Sequence, residues 1–366
     1  MRHSLAVLGL IVAVASPASG QRAWQTEIGL QGGYTRVVQP GLGSGPTDAF
    51  GLPGFNVGPA LPAPSALYVI IPWKEKVALE FDVAGAQLTG LIPATLFQLD
   101  ARADYAIVDQ FYAATGGAVG YINSGNTGIT ETQLALQGGV GYRRRLSNAF
   151  NGRVEARVAF WGKTDNIPPR NVYSLLLGVS TRTSGSRSTP APRRARGGAW
   201  TPQLGLAAGY ANFHAVGDPN DLTLLAFPNF GGGLGALGIA PGGPPTLFAI
   251  LPVGTRIAIE PGVDLHRFQS GGTTNFLGNF SARLNYTLTG GWYAALGGTM
   301  TYATSTGSDP ATITGLHTAV GYRFPLSGPV SGRVELNYTM NGKNDDRGIP
   351  PVNITGLMIG AMVPLK

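Results

Sequence analysis

The sequence predicts an all-β protein, an antiparallel transmembrane β-barrel written as two tandem eight-strand repeats. Three observations carry this. First, the chain says nearly the same thing twice: Ala23-Trp24-Gln25-Thr26-Glu27-Ile28-Gly29-Leu30 returns as Ala199-Trp200-Thr201-Pro202-Gln203-Leu204-Gly205-Leu206, and Val140-Gly141-Tyr142-Arg143 as Val320-Gly321-Tyr322-Arg323, at offsets of about 176 to 182 residues. Second, with 55 Gly, 27 Pro and only 12% charged residues, the chain falls well short of the roughly 25% charge of a water-facing domain. Only five of its 26 basic residues are Lys, and Arg is the cation preferred in desolvated pairs. Third, apolar and polar residues alternate with period two.

Taken along the chain, residues 1–20 are expected to be a signal peptide. Arg2 and His3 precede an apolar run from Leu5 to Ala15, and Ala18-Ser19-Gly20 offers a cleavage site. That run is too short to span a bilayer, which takes about 20 residues. With no cysteine there is no disulfide framework and no lipoprotein attachment site. The expected destination is the cell outer membrane of a Gram-negative envelope.

The first repeat, 21–182, divides into eight predicted strands near 24–37, 66–72, 76–84, 96–107, 111–122, 132–144, 152–162 and 171–182. Tight turns (Trp73-Lys74-Glu75, Val108-Asp109-Gln110) alternate with longer connections at 38–65, 85–95, 123–131 and 163–170. Short periplasmic turns and long outer loops are the habit of even-stranded outer-membrane barrels. The second repeat, 199–366, follows the same plan. Aromatics near predicted strand ends, such as Trp24, Tyr34, Tyr105, Tyr142, Phe160, Trp200, Tyr210, Tyr286 and Tyr322, read as interfacial girdles.

The polar faces then become the lumen. In the first repeat they place Glu80, Asp82, Asp100, Arg102, Asp104, Arg143, Arg153, Glu155 and Arg157 inside. In the second they place Glu260, Arg283, Arg323, Arg333 and Glu335 there. Mixed signs at this density predict an ion-pair network: a structural plug in a narrow barrel, a weakly selective lining in a wide one.

Each copy resembles an OmpA/OmpX-type eight-stranded outer-membrane barrel. The strand count, the loop alternation, the inward Glu/Arg ladder and Gly-aromatic patches such as Gly32-Gly33-Tyr34 and Gly139-Val140-Gly141-Tyr142 carry the likeness, over nearly all of the chain after residue 20. It implies outer-membrane lipid and the barrel-insertion machinery as partners, and it identifies no activity. Such chains usually end on an aromatic residue that the machinery reads; this sequence ends Met362-Val363-Pro364-Leu365-Lys366.

Residues 183–198 form a basic Pro/Arg-rich linker with four Arg and no acid. Sixteen extended residues reach much further than the ~4.8 Å between paired strands, which favours two eight-stranded barrels. The alternative is one 16-stranded barrel, and the choice bears on function, because eight strands enclose room for side chains while sixteen leave an aqueous channel. The first reading gives a structural or surface-interaction protein displaying extracellular loops. The second gives a general diffusion porin for small hydrophilic solutes.

Chemistry is sparse. No catalytic, cofactor-binding or metal site is expected. His214, His266 and His317 fall near predicted extracellular strand ends; Asp264 and His266 share a face with Ser270 nearby, but the first repeat has no counterpart. A repeated loop motif, Gly162-Lys163-Thr164-Asp165 with Ile167-Pro168-Pro169 and Asn171, recurs as Gly342-Lys343-Asn344-Asp345 with Ile349-Pro350-Pro351 and Asn353. It reads as a rigid turn, with a presented patch for an extracellular ligand as the functional option. The first long loop is apolar in both copies (Phe50-Gly51-Leu52-Pro53-Gly54-Phe55; Phe227-Pro228-Asn229-Phe230-Gly231). The net charge of +7 sits largely in the linker and in Arg143-Arg144-Arg145, expected on the periplasmic side, and implies no nucleic acid.

Overall fold

The computed structural model describes residues 24–39, 46–52, 67–89, 93–108, 110–125, 127–146, 150–182, 200–215, 222–227, 247–327, 330–345 and 350–365. The expected signal peptide and basic linker lie outside them. The regular elements are all strands, joined antiparallel into closed barrel walls.

The first repeat contributes β1 (Glu27–Val38), β2 (Thr47–Leu52), β3 (Leu67–Lys74), β4 (Val77–Thr89), β5 (Ala94–Val108), β6 (Phe111–Ser124), β7 (Ile129–Arg145), β8 (Phe150–Trp161) and β9 (Arg170–Arg182). The second contributes β10 (Gln203–Ala215), β11 (Leu222–Phe227), β12 (Leu247–Pro252), β13 (Ile257–Ser270), β14 (Thr273–Thr287), β15 (Trp292–Ser305), β16 (Ser308–Ser327), β17 (Val330–Asn341) and β18 (Val352–Pro364). Each repeat therefore has nine strands among the described residues, where eight were expected. The extra ones, β2 and β11, are the apolar stretches read from sequence as loop. Phe50-Gly51-Leu52 lies in β2 and Phe227 ends β11, while Pro53–Phe55 and Pro228–Gly231 fall outside the described residues. The expected loop 85–95 also shrinks, because β4 runs to Thr89 and β5 starts at Ala94.

The pairing register divides by height. Let the lower end be that of the tight turns near 75–76 and 109–110, and the upper end that of the connections at 90–93 and 162–169. At the lower end β1 pairs β3 (Glu27↔Ile70 to Leu30↔Leu67), and β3 through β9 follow in order back to β1. That is an eight-stranded ring. The second repeat closes likewise, β10 pairing β12 and β18.

At the upper end β1 instead pairs β2 (Gly33↔Gly51 to Val37↔Thr47), and β2 crosses to the other repeat, pairing β13 (Leu265↔Leu52 to Gln269↔Asp48). Reciprocally β10 pairs β11, and β11 crosses to β4 (Phe227↔Gly85 to Thr223↔Thr89). The two crossings are one contact made twice: under the repeat alignment Leu52 corresponds to Phe227 and Leu265 to Gly85. Upper hydrogen bonding runs continuously through β1, β2, β13 to β18, β10, β11 and β4 to β9, a sixteen-stranded circuit. The molecule is shaped like trousers, with two legs sharing one waist. The choice between two eight-stranded barrels and one 16-stranded barrel thus has a different answer at each end.

Side-chain packing follows the exchange. Phe268 of the second repeat packs on Val37, Ala49, Ala118, Ala135, Ala159, Trp161 and Val172 of the first. Leu88 and Ala86 of the first pack with Phe213, Ile354 and Met358 of the second. Lower in each leg a ring lies flat over a glycine, Tyr112 over Gly141 and Tyr293 over Gly321; a β-carbon at either glycine would overlap the tyrosine ring. Here the Gly-aromatic motif is a packing device.

Candidate functional site

The side chains that pattern reasoning places inside the barrel meet in the two legs. In the first, the inward residues of β4, β5 and β8 converge because alternate residues of a strand share a face. Arg102 binds Glu80 (2.5 Å) and both oxygens of Glu155 (2.5 and 2.7 Å). Arg153 binds the other oxygen of Glu80 (2.5 Å), and its guanidinium lies 3.5 Å from the Tyr68 ring centroid. Tyr112 donates its hydroxyl to Glu155 (2.6 Å). Arg157 spans Glu155 (2.8 Å), Asp82 (2.7 Å) and Asp100 (3.5 Å). Asp104 stands 3.7 Å from Arg102.

The second leg rebuilds the centre of this arrangement. Arg283 donates to both oxygens of Glu335 (2.7 and 2.6 Å) and lies 2.8 Å from Glu260. Arg333 donates to both oxygens of Glu260 (2.9 and 2.8 Å) and stacks 3.6 Å over Phe248. Tyr293 donates to Glu335 (2.7 Å). Glu80, Arg102, Tyr112, Arg153 and Glu155 therefore return as Glu260, Arg283, Tyr293, Arg333 and Glu335: a collar of two carboxylates, two guanidiniums and a phenol. Glu80 and Glu155 are 0% exposed, and Glu260 and Glu335 are 3% and 2%. Charges so deeply buried are tolerable only when paired and hydrogen-bonded, and each carboxylate here has at least two donors.

Beneath each collar sits a tryptophan. Trp24 packs edge-on to Tyr112 with centroids 5.9 Å apart, and Trp200 to Tyr293 at 5.5 Å. Arg143 and Arg323 stack over these indoles at 4.8 and 3.5 Å. Both tryptophans are buried, which corrects their reading as girdle residues; they stopper the lower mouths. The girdle positions that do face outward include Tyr105, Phe160, Tyr210, Tyr286 and Tyr322, with Phe111–Tyr142 and Trp292–Tyr322 as twin ring pairs at 5.0 and 5.2 Å. Arg143 does not lie with the basic surface run either: it turns inward and pairs with Glu27, leaving Arg144 and Arg145 exposed.

Glu27 was missed by sequence reasoning. It also accepts from Asn151 (2.8 Å) and Ser180 (2.6 Å), and its face was legible from Gln31 and Thr35 at the same parity. Arg323 stacks on Trp200 and donates to Thr287 (3.4 Å). His266 lies near the upper end of β13, as expected, but is buried where β13 meets β2; His317 is buried in the middle of β16, which corrects its reading as a strand-end residue; His214 is exposed. His317 stands between Arg283 (2.9 Å) and Thr339 (2.8 Å). Asp264 accepts from the Leu247 amide (3.4 Å).

The repeated loop motif lies at the upper end of each leg. In the first copy the Thr164 amide donates to the Ile167 carbonyl (2.9 Å) and the Ile167 amide to the Thr164 hydroxyl (3.2 Å), Asn166 donates to Glu131 (2.6 Å), and Gln133 reaches the Pro168 carbonyl (3.3 Å). Lys163 and Asp165 are exposed, Pro168 and Pro169 half-buried, and Asn171 half-buried on β9. In the second copy Lys343 pairs with Asp345 (2.9 Å), both well exposed; Pro350 is exposed, and Pro351 and Asn353 are half-buried. Exposed ion pairs contribute little, so Lys343→Ala is expected to leave the melting temperature unchanged in a thermal scan.

No family model and no curated protein matches the chain. Solved structures similar to parts or all of it include a CymD monoaromatic hydrocarbon channel (9% identity, 94% of this chain and 89% of that one, TM-score 0.29) and a Pseudomonas aeruginosa FadL homologue (10%, 93% and 91%, 0.27). The outer membrane protein AlkL matches 47% of this chain over 97% of its own length (11%, 0.25).

Proposed function

We propose that this is an integral outer-membrane protein whose two occluded legs anchor and display the segments at the upper end, in a structural or surface-interaction role without catalysis. The observation that carries the occlusion is the pair of buried collars. Arg–carboxylate bridges cross each eight-stranded lumen, with a stacked tryptophan below. Eight strands enclose just enough room for such filling.

Membrane residence draws on the inverted polarity of the wall. Charged groups are buried inside while Leu136, Leu134 and Leu177 are 74%, 67% and 64% exposed outside. A water-soluble barrel would expose the first set and bury the second. Outer-membrane lipid is then the partner of the wall and the barrel-insertion machinery the partner in assembly. An extracellular ligand would engage the Lys163/Asp165 and Lys343/Asp345 turns.

The rival reading, a diffusion porin, draws on the sixteen-stranded upper circuit. Planar-bilayer recordings of the full chain separate the two. The expected result is an electrically silent protein that still migrates as a heat-modifiable folded band. Large, stable conductance steps would establish the porin instead.

A further inference from the structure

The legs share a collar but differ just above it. In the first, Arg157 crosses the lumen to Asp82 and Asp100, closing the space over the collar. The repeat equivalents in the second leg are Asn337, Gly262 and Ser281. Gly262 and Ser281 are register partners on β13 and β14, as Asp82 and Asp100 are on β4 and β5. Both lower rings have eight strands and hence similar bores. A long guanidinium meeting two carboxylates has been replaced by a short amide that lies over Gly356, its register partner on β18, with a glycine and a serine at the positions of the two carboxylates.

The short amide does not close the gap. Asn337 is 2% exposed, and among the described residues neither its nitrogen nor its oxygen has a hydrogen-bond partner. Nearby, the Nδ2 atoms of buried Asn279 and Asn341 also lack acceptors, although their oxygens accept from Thr301 (3.0 Å) and Thr299 (3.4 Å). Native proteins satisfy buried amides, with ordered water where no protein group reaches. The lumen higher up differs in the same sense. The apolar set Ala118, Ala159 and Trp161 of the first leg corresponds to Thr299, Thr339 and Asn341 in the second.

We propose that the second leg holds a polar chamber above the Arg283–Glu335–Glu260 collar, centred on Asn337, that binds small neutral hydroxylic ligands: water or a polyol. The ligand is not an anion, because the collar below already balances two carboxylates with two guanidiniums and Asp264, the register partner of Asn279, is a further buried carboxylate. It is hydroxylic because the amide nitrogens of Asn337, Asn279 and Asn341 need acceptors while the Asn337 oxygen needs a donor. A hydroxyl supplies both.

The test uses the full chain in lipid, labelled with ¹⁵N-asparagine and ¹⁵N-arginine, and reads magnetisation transfer from water to side-chain nitrogens by solid-state NMR. The Asn337 signal is assigned by its loss in Asn337→Leu. Rapid transfer to the Asn337 and Asn279 amides, several-fold faster than to the buried Arg157 guanidinium, is the expected result. Repeating the measurement with added protonated glycerol distinguishes the ligands: contacts from glycerol protons identify a polyol site, and contacts from water alone a water site. Asparagine amides as slow as Arg157 under both conditions would overturn the proposal. Grafting the first leg's bridge with Asn337→Arg, Gly262→Asp and Ser281→Asp should abolish transfer to Asn279. Undiminished transfer in the folded graft would overturn the placement of the chamber.

Discussion

Glu335→Ala is expected to cost roughly 3–5 kcal/mol of stability, the range for stripping one partner from a buried charge network. Glu335 accepts from both guanidinium nitrogens of Arg283 and from Tyr293, and lies 3.9 Å from Arg333. Removing it leaves two buried guanidiniums sharing Glu260 alone. The measurement is the temperature at which the compact, heat-modifiable form is lost in detergent. The double variant Arg283→Met/Glu335→Leu removes charge symmetrically and leaves Arg333 on Glu260 (2.8 Å). It should therefore recover most of the loss, because replacing a buried pair by apolar groups is often close to neutral. If Glu335→Ala melts with the parent protein, the collar is not what holds the leg closed. Glu155→Ala tests the twin, with a loss at least as large expected because Glu155 also meets Arg157 (2.8 Å).

The collar residues were legible in the sequence and their partners were not, for a geometric reason. Period-two alternation assigns Arg102 and Glu155 to one face whatever the fold. That Arg102 crosses the lumen to a carboxylate 53 positions away depends on the bore of the ring, which no local pattern encodes. Trp24 shows the converse limit. An aromatic at a strand end serves equally as a girdle or a stopper, and the arginine stacked on it decides the matter only once the ring has closed. The exchanged strands were the hardest to see. β2 and β11 are each six residues long, set among Gly and Pro, with the composition of a loop. One of the two partners of each lies in the other repeat, so no period within one repeat reveals them. Treating each repeat as complete in itself hid the waist that joins them.

That waist yields an all-or-none expectation. Ala49 and Phe268 are direct partners across β2 and β13. Opposed residues of antiparallel strands have Cα atoms about 4.5–5.5 Å apart, within the range a disulfide spans. The chain has no cysteine of its own, so Ala49→Cys/Phe268→Cys should oxidise to a single defined cross-link. With a protease site placed in the 183–198 linker, cleavage should leave the halves covalently joined until a reductant is added. The control follows from the repeat alignment, in which Phe268 corresponds to Leu88. If each repeat closed on itself, β2 would return to its own β4 and bring Ala49 against Leu88. Ala49→Cys/Leu88→Cys is therefore expected to stay reduced, and in the cleaved protein it has no means of tying the halves together. Were this control pair to link efficiently and the Ala49/Phe268 pair not, each leg would be a separate barrel along its whole height. The sixteen-stranded circuit would then be lost, and with it the structural basis of the porin alternative.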